Sequence, residues 1–242
     1  MHSNNYFNAC DIVLNNYRMY SGLKKRQYNY YLNSTSPVEG QEQAFEAIEL
    51  FTEKFIYDEK PVGLLLVGGV GSGKTFMVSS VANNIIDTIK ITDSEEKNVD
   101  EIPLKEGYSF WYRGYGRLDS PVQFISIVDL MNQLKASFKD PDSGLQEMIM
   151  KRIKAVDLLI LDDMGAEKSS DWIRETLFEI IDYRYNERLP ILVTTNCTPE
   201  ELKQQIGARN FDRLREMCAL VSITAKSQRP TANVKGGDTE NN

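Results

Sequence analysis

The stretch VGLLLVGGVGSGKT, residues 62–75, changes character halfway along. Its first six residues are a short continuous apolar run, the pattern of a strand buried on both faces. Its last eight place four glycines ahead of a lysine and a threonine. Gly68-x-x-x-x-Gly73-Lys74-Thr75 fits the phosphate-loop pattern GxxxxGK[ST]. Glycines let the backbone curl so that several N–H groups face phosphate oxygens. A helix N-terminus adds positive potential. The alternative is a glycine-rich turn that happens to precede a lysine. The next residues argue against that: Val78, Val81, Ala82, Ile85, Ile86 and Ile89 recur at i, i+3, i+4 spacing, so 74–90 is predicted to be a helix. The nucleotide-binding residues are thus Gly68, Gly69, Val70, Gly71, Ser72, Gly73, Lys74, Thr75 and Phe76. Lys74 should reach the β- and γ-phosphates of ATP, and the Thr75 hydroxyl should ligate Mg²⁺.

Further short apolar runs appear at 121–127 (PVQFISI), 156–163 (VDLLILDD), 190–195 (PILVTT) and 219–224 (ALVSIT). Helical patterns separate them. Strands alternating with helices predict an α/β fold, a mostly parallel sheet covered on both faces. Ahead of the first strand, SPVEGQEQAFEAIELFTEKF reads as a capped helix from near Ser36, with Ala44, Phe45, Ile48, Phe51 and Phe55 on one face.

Two strand ends carry chemistry. LLILDD closes on Asp162 and Asp163, and a strand ending in acid beside a phosphate loop is the Walker B arrangement. Asp162 would ligate Mg²⁺ and Asp163 would orient or deprotonate the attacking water. Standing alone, the pair reads equally as a solvated strand end. TTN, 194–196, ends another strand. Asn196 either hydrogen-bonds the attacking water or γ-phosphate, or simply starts a turn.

The 242 residues suggest one compact domain with extensions, and the net charge is −7. An acidic protein is a poor ligand for duplex DNA. The charge is uneven: residues 1–36 hold Arg18, Lys24, Lys25 and Arg26 against Asp11, and six of the twelve tyrosines fall in the first 31 residues. This basic, tyrosine-rich arm either has the composition of a partner-binding surface or packs an apolar face back on the body. Residues 37–229 form the nucleotide-binding domain, and 230–242 read as a disordered tail. Segment 91–120 reads as an insertion, acidic and then aromatic and basic (YSFWYRGYGR). It either stacks single-stranded bases or forms a hairpin packed on the body. No run is long enough for a membrane helix. Cys10, Cys197 and Cys218 form no CxxC pair, which fits a reducing, cytoplasmic setting.

Taken in order, these elements resemble the AAA+ ATPases of P-loop type. More narrowly they are similar to replicative helicase loaders of the DnaC/DnaI type, within the IstB-like ATP-binding family. The residues that carry the resemblance are GGVGSGKT, ISIVDLMNQLKASF, LLILDDMGAEKSSDWIRETLFEIIDYRY, LPILVTTN and ARNFDRLREMC…ITAKSQR. It implies a five-stranded parallel sheet without a full C-terminal lid. It implies that Asn196 is sensor 1. Arg213 matches the arginine finger that reaches a neighbouring subunit's ATP, and Arg229 the sensor-2 arginine. Read without the resemblance, Arg213 and Arg215 are exposed helix charges. The implied function is slow Mg·ATP hydrolysis that helps place a replicative ring helicase on single-stranded DNA, with self-association through the ATP sites. Alternatives are an IstB-type transposition helper, or a nucleotide-gated scaffold with little turnover. Asp163 stands where most AAA+ proteins have glutamate, about 1.5 Å less reach. The arm is short and lacks the cysteine and histidine set of zinc-containing loaders.

Overall fold

The computed structural model describes residues 17–57, 61–88, 101–104, 108–111 and 120–229. The predicted apolar runs become β1 (Gly63–Gly68), β4 (Val122–Ser126), β5 (Leu158–Asp162), β6 (Ile191–Thr195) and β7 (Cys218–Ile223). They form one five-stranded sheet in the order β4-β5-β6-β1-β7, with every pairing parallel. A separate antiparallel pair joins β2 (Glu101–Leu104) to β3 (Tyr108–Trp111) inside the predicted insertion, with Glu101 opposite Trp111. The rest of the insertion up to 119, the first half of the arm and the tail lie outside the described residues.

Because successive strand residues face opposite sides, the sheet supplies two cores. Leu64, Leu66, Ile160 and Leu192 face one, under α1 (Glu42–Ile56) and α2 (Lys74–Asp87). Leu65, Leu159, Leu161 and Val193 face the other. That second core is covered by α3 (Ile127–Ser137), α4 (Leu145–Ala155), α5 (Asp171–Asn186), α6 (Pro199–Ile206) and α7 (Ala208–Met217). Among the described residues no helix is long and apolar enough to cross a membrane.

The predicted faces of α1 and α2 are buried: Ala44, Phe45, Ile48, Phe51, Phe55, Val78, Val81, Ala82, Ile85 and Ile86. Ile89 lies outside the described residues. One expectation needs correction, and one open alternative is met over the described residues. First, α1 starts at Glu42, not near Ser36. Gly40 stands at φ +87° and its carbonyl accepts from Thr224 N–H at 3.1 Å, so 36–41 crosses the end of β7 before the helix begins. Second, the described half of the arm is part of the body. Tyr17, Leu23 and Leu32 are buried in the first core. The Gln27 amide donates to Ser79 Oγ at 2.9 Å, and Asn83 Nδ2 donates to the carbonyls of Gln27 (2.7 Å) and Tyr30 (2.9 Å). Arg18 pairs with Asp87 at 2.6 Å, and Tyr31 Oη donates to the same carboxylate at 2.5 Å. The physical reason is that α2 presents Ser79 and Asn83 on a fully buried face. Those polar groups need partners once buried, and the arm supplies them. Ser21 O also accepts from Phe124 N–H at 2.6 Å, which covers the outer edge of β4 where an unpaired strand would otherwise invite association.

Candidate functional site: a phosphate loop facing two carboxylates

In the strand order, β6 lies between β5 and β1. The loops leaving the carboxyl ends of these three neighbours therefore meet, which is where open α/β sheets bind ligands. The glycine loop follows β1, Asp162 and Asp163 end β5, and Thr194 to Asn196 end β6.

The loop needs its glycines. Gly71 (φ +80°) and Gly73 (φ +99°) stand in the left-handed region, and Gly73 is the N-cap of α2. A Cβ on Gly71 would run into Ser227 Oγ, and one on Gly73 would meet the Gln41 amide at 2.8 Å. Gln41 backs the loop by donating to Ser72 O at 2.8 Å. Val70 at the tip is 60% exposed, whereas Lys74 is only 4% exposed. Lys74 Nζ donates to Gly68 O, Gly69 O and Asn196 Oδ1, each at 2.8 Å. Burial lowers its pKa, while Asp163 and Asp162 pull the other way. The lysine is thus a nearly desolvated cation bonded to neutral oxygens, which phosphate oxygens would outcompete.

The Thr75 hydroxyl lies 3.1 Å from both oxygens of Asp162. Asp162 is 5% exposed, and burial raises its pKa. Thr194 Oγ1, wholly buried, donates to Asp162 Oδ1 at 2.6 Å, which works against that rise. Asp163 stands at φ +56°, and its carboxylate accepts from Asn196 Nδ2 at 3.3 Å. One asparagine therefore touches both Lys74 and the second acid. Among the described residues no three His, Cys, Asp or Glu side chains gather to hold a metal. A hydroxyl and a carboxylate at the mouth of a phosphate loop do fit Mg²⁺, which takes one or two protein oxygens and fills its shell with phosphate oxygens and water.

The two arginines fall differently. Arg229 follows Gln228, whose N–H donates to Gly71 O at 2.8 Å, and Arg229 bears on the Lys74 charge. It lies beside the loop. Arg213 belongs to another part of the surface, on α7. It pairs with Asp182 of α5 at 2.6 Å, its guanidinium 5.4 Å from the Phe178 ring centre and 5.1 Å from that of Tyr185. Phe76 is partly buried, its ring 5.3 Å from Tyr30. Gln41 and Thr194 escape the motif reading. Thr194 carries a signal: it is a hydroxyl in an otherwise apolar buried strand, which must find a partner.

Fold and site together define a P-loop nucleotide-binding protein of AAA+ type. A family model described as IstB-like ATP binding protein matches residues 110–235, just over half the chain. The chain belongs to that family of ATP-binding proteins. It is similar to the replicative helicase loader DnaI of Bacillus subtilis (strain 168), 25% identical over 198 residues, covering 76% of this chain and 53% of the relative. It is also similar to the replicative helicase loader DnaC of Escherichia coli (strain K12), 24% identical over 196 residues, covering 81% and 66%. The chain thus spans about half to two thirds of the length of these relatives. Among solved structures, that of the DnaC helicase loader superposes with a TM-score of 0.62 at 27% identity, over 83% of this chain and 100% of that one.

Proposed function

We propose that this protein binds Mg·ATP at the carboxyl ends of β1, β5 and β6, hydrolyses it slowly, and uses that cycle to help place a replicative ring helicase on single-stranded DNA. What carries the nucleotide half is the Lys74–Asn196–Asp163 chain of contacts beside the Thr75–Asp162 pair. What carries the loader half is the likeness to a DnaC helicase loader over the whole of that chain.

In this reading the loop N–H groups and the α2 N-terminus cradle the phosphates, and Lys74 exchanges its carbonyl partners for phosphate oxygens. Thr75 and Asp162 hold Mg²⁺, which offsets the charge on the phosphate oxygens. Asp163 accepts a proton from the attacking water, and Asn196 Nδ2 keeps that carboxylate aimed. Arg229 adds positive charge within the subunit. Arg213 acts on a neighbouring copy's nucleotide, which makes hydrolysis depend on self-association. Its Asp182 and aromatic contacts hold it on the surface until a neighbour docks.

Two experiments test this. Co-purification with the host's ring helicase in the presence of ATP, followed by helicase transfer to single-stranded DNA, should succeed for the wild type and fail for Lys74→Ala. Recovery of a transposase in place of a ring helicase would favour the transposition-helper reading. Arg213→Ala should keep nucleotide affinity within about threefold while lowering concentration-dependent turnover by roughly 10³-fold, the scale of arginine-finger effects. Equal turnover in variant and wild type would move the finger to Arg209 or Arg215.

A further inference from the structure

We propose that Thr194 is a positioning residue of this site: its one hydroxyl sets both carboxylates, holding the Asp162 side chain against Thr75 and the Asp163 backbone in its left-handed turn. This rests on the Mg·ATP reading of the site.

The backbone ladder between β5 and β6 runs only to Leu161 opposite Val193. Beyond it the chain must leave the strand and turn. Asp163 does so at φ +56°, one of two non-glycine residues with positive φ among the described residues. Such a conformation persists only where surrounding contacts enforce it. Here Thr194 supplies them. Its Oγ1 accepts from Asp163 N–H at 2.9 Å, and its carbonyl accepts from Met164 N–H at 2.8 Å. The neighbouring Thr195 closes the turn by donating to Met164 O at 2.7 Å.

A hydroxyl has one proton. One of its two lone pairs accepts from Asp163 N–H, and the proton goes to Asp162 Oδ1 at 2.6 Å, a short charge-assisted bond. The carboxylate is then fixed from one side by Thr194 and from the other by Thr75 at 3.1 Å. The β-branched side chain is stiff at χ1 and wholly buried, so the hydroxyl cannot swing to other partners. Valine would keep the shape and lose both bonds; serine would keep both bonds and lose a methyl.

The test compares the full-length wild type, Thr194→Val and Thr194→Ser. Binding of a fluorescent ATP analogue is measured in EDTA and across a Mg²⁺ titration, alongside steady-state hydrolysis and thermal unfolding. In EDTA all three should bind within about threefold of one another, because Lys74 and the loop are untouched. Thr194→Val should need about tenfold more Mg²⁺ for half-maximal effect, the scale of one lost charge-assisted bond. Its kcat should fall by roughly 10- to 100-fold with KM for ATP little changed. Thr194→Ser should stay within about threefold of wild type in both. A wild-type Mg²⁺ midpoint in Thr194→Val, or a Thr194→Ser as impaired as Thr194→Val, overturns the proposal. Should Thr194→Val not fold, Thr194→Ala takes its place with the same expectations. A wild type whose nucleotide binding ignores Mg²⁺ would instead sink the Mg·ATP reading, and this proposal with it.

Discussion

Two buried cations sit at opposite poles of the sheet. Lys74, 4% exposed, lies at the carboxyl ends of β1 and β6, and Arg184, 0% exposed, lies at the amino ends of β5 and β6. Both rest largely on backbone carbonyls. The Arg184 guanidinium donates to Lys154 O, Val156 O, Asp157 O and Pro190 O at 2.5–3.1 Å, with Ile153 O at 3.5 Å. These close the end of α4 and tie the starts of β5 and β6. Burial opposes the charge in both cases and lowers both pKa values. The difference lies in what holds them. The Arg184 partners belong to two chain stretches, 153–157 and Pro190, that converge in the interior, and nothing can replace them. The Lys74 partners are two carbonyls of a glycine loop and an exposed asparagine. A phosphate can take their place. Burial of a charge does not mark a site; the replaceability of its partners does.

The strongest perturbation asks how far the carboxyl pole depends on the arm. Deleting residues 1–36 removes the burial of Tyr17, Leu23 and Leu32, strips Asn83 Nδ2 of both its acceptors and takes the Gln27 donor from Ser79, whose hydroxyl keeps only its bond to Thr75 O. Three buried apolar side chains at about 1.5–3 kcal/mol each make up a large share of a domain's net stability. The truncated protein should lose cooperative thermal unfolding and, with it, ATP binding. A stable, ATP-binding product of this deletion would show that the arm merely lies on α2.

Next in size is Arg184→Met, which leaves several buried carbonyls unpaired. The cost should be about 3–5 kcal/mol, the range for removing one side of a buried charged contact. In a chain of this size that lowers Tm by roughly 10 °C. Nucleotide affinity of the folded fraction should not change. A change in affinity comparable to that of a phosphate-loop variant would erase the distinction between the poles.

The two poles are not equally legible in the sequence. Lys74 can be read because the GxxxxGK[ST] spacing is a local pattern, and Asp162 because it ends an apolar strand. Arg184 stands in DYRYN on a helix, where charge reads as solvent-facing. Only the meeting of α4, β5 and β6 buries it, and no local pattern encodes that. The arm stays open to two readings for the same reason. KKRQYNYY has the composition of a surface, and Lys24, Lys25 and Arg26 are indeed exposed, yet Gln27 beside them is buried on α2. The strands are legible to within about two residues because a sheet buried on both faces leaves a continuous apolar signature. The start of α1 is not, because Gly40 spends its freedom crossing β7, a long-range contact.

A more modest effect concerns the latch between arm and α2. Burial, with help from Asp87, pushes the Tyr31 hydroxyl up to about 12 from its ordinary 10.0. The folded state then holds this proton more tightly than the unfolded chain. The contribution is therefore complete below pH 10 and fades as pH climbs towards 12. Tyr31→Phe should be less stable than wild type at pH 8, by about 1 kcal/mol for a hydrogen bond to a charged group. The gap should close between pH 10 and 12 in denaturant titrations. A gap that stays constant over that range would mean the hydroxyl is not the latch.

If Lys74, rather than buried charge in general, makes the nucleotide site, ligand should stabilise the protein only where that lysine is present. Thermal unfolding with and without Mg·ATP, on wild type, Lys74→Ala and Arg184→Met, puts this to the test. At about a hundred times Kd, ligand should stabilise the wild type by about 2.7 kcal/mol, a Tm rise of roughly 5–10 °C. Arg184→Met should start lower and rise by the same amount, and Lys74→Ala should start near wild type and not rise. An ATP-induced rise in Lys74→Ala equal to that of wild type would contradict the account.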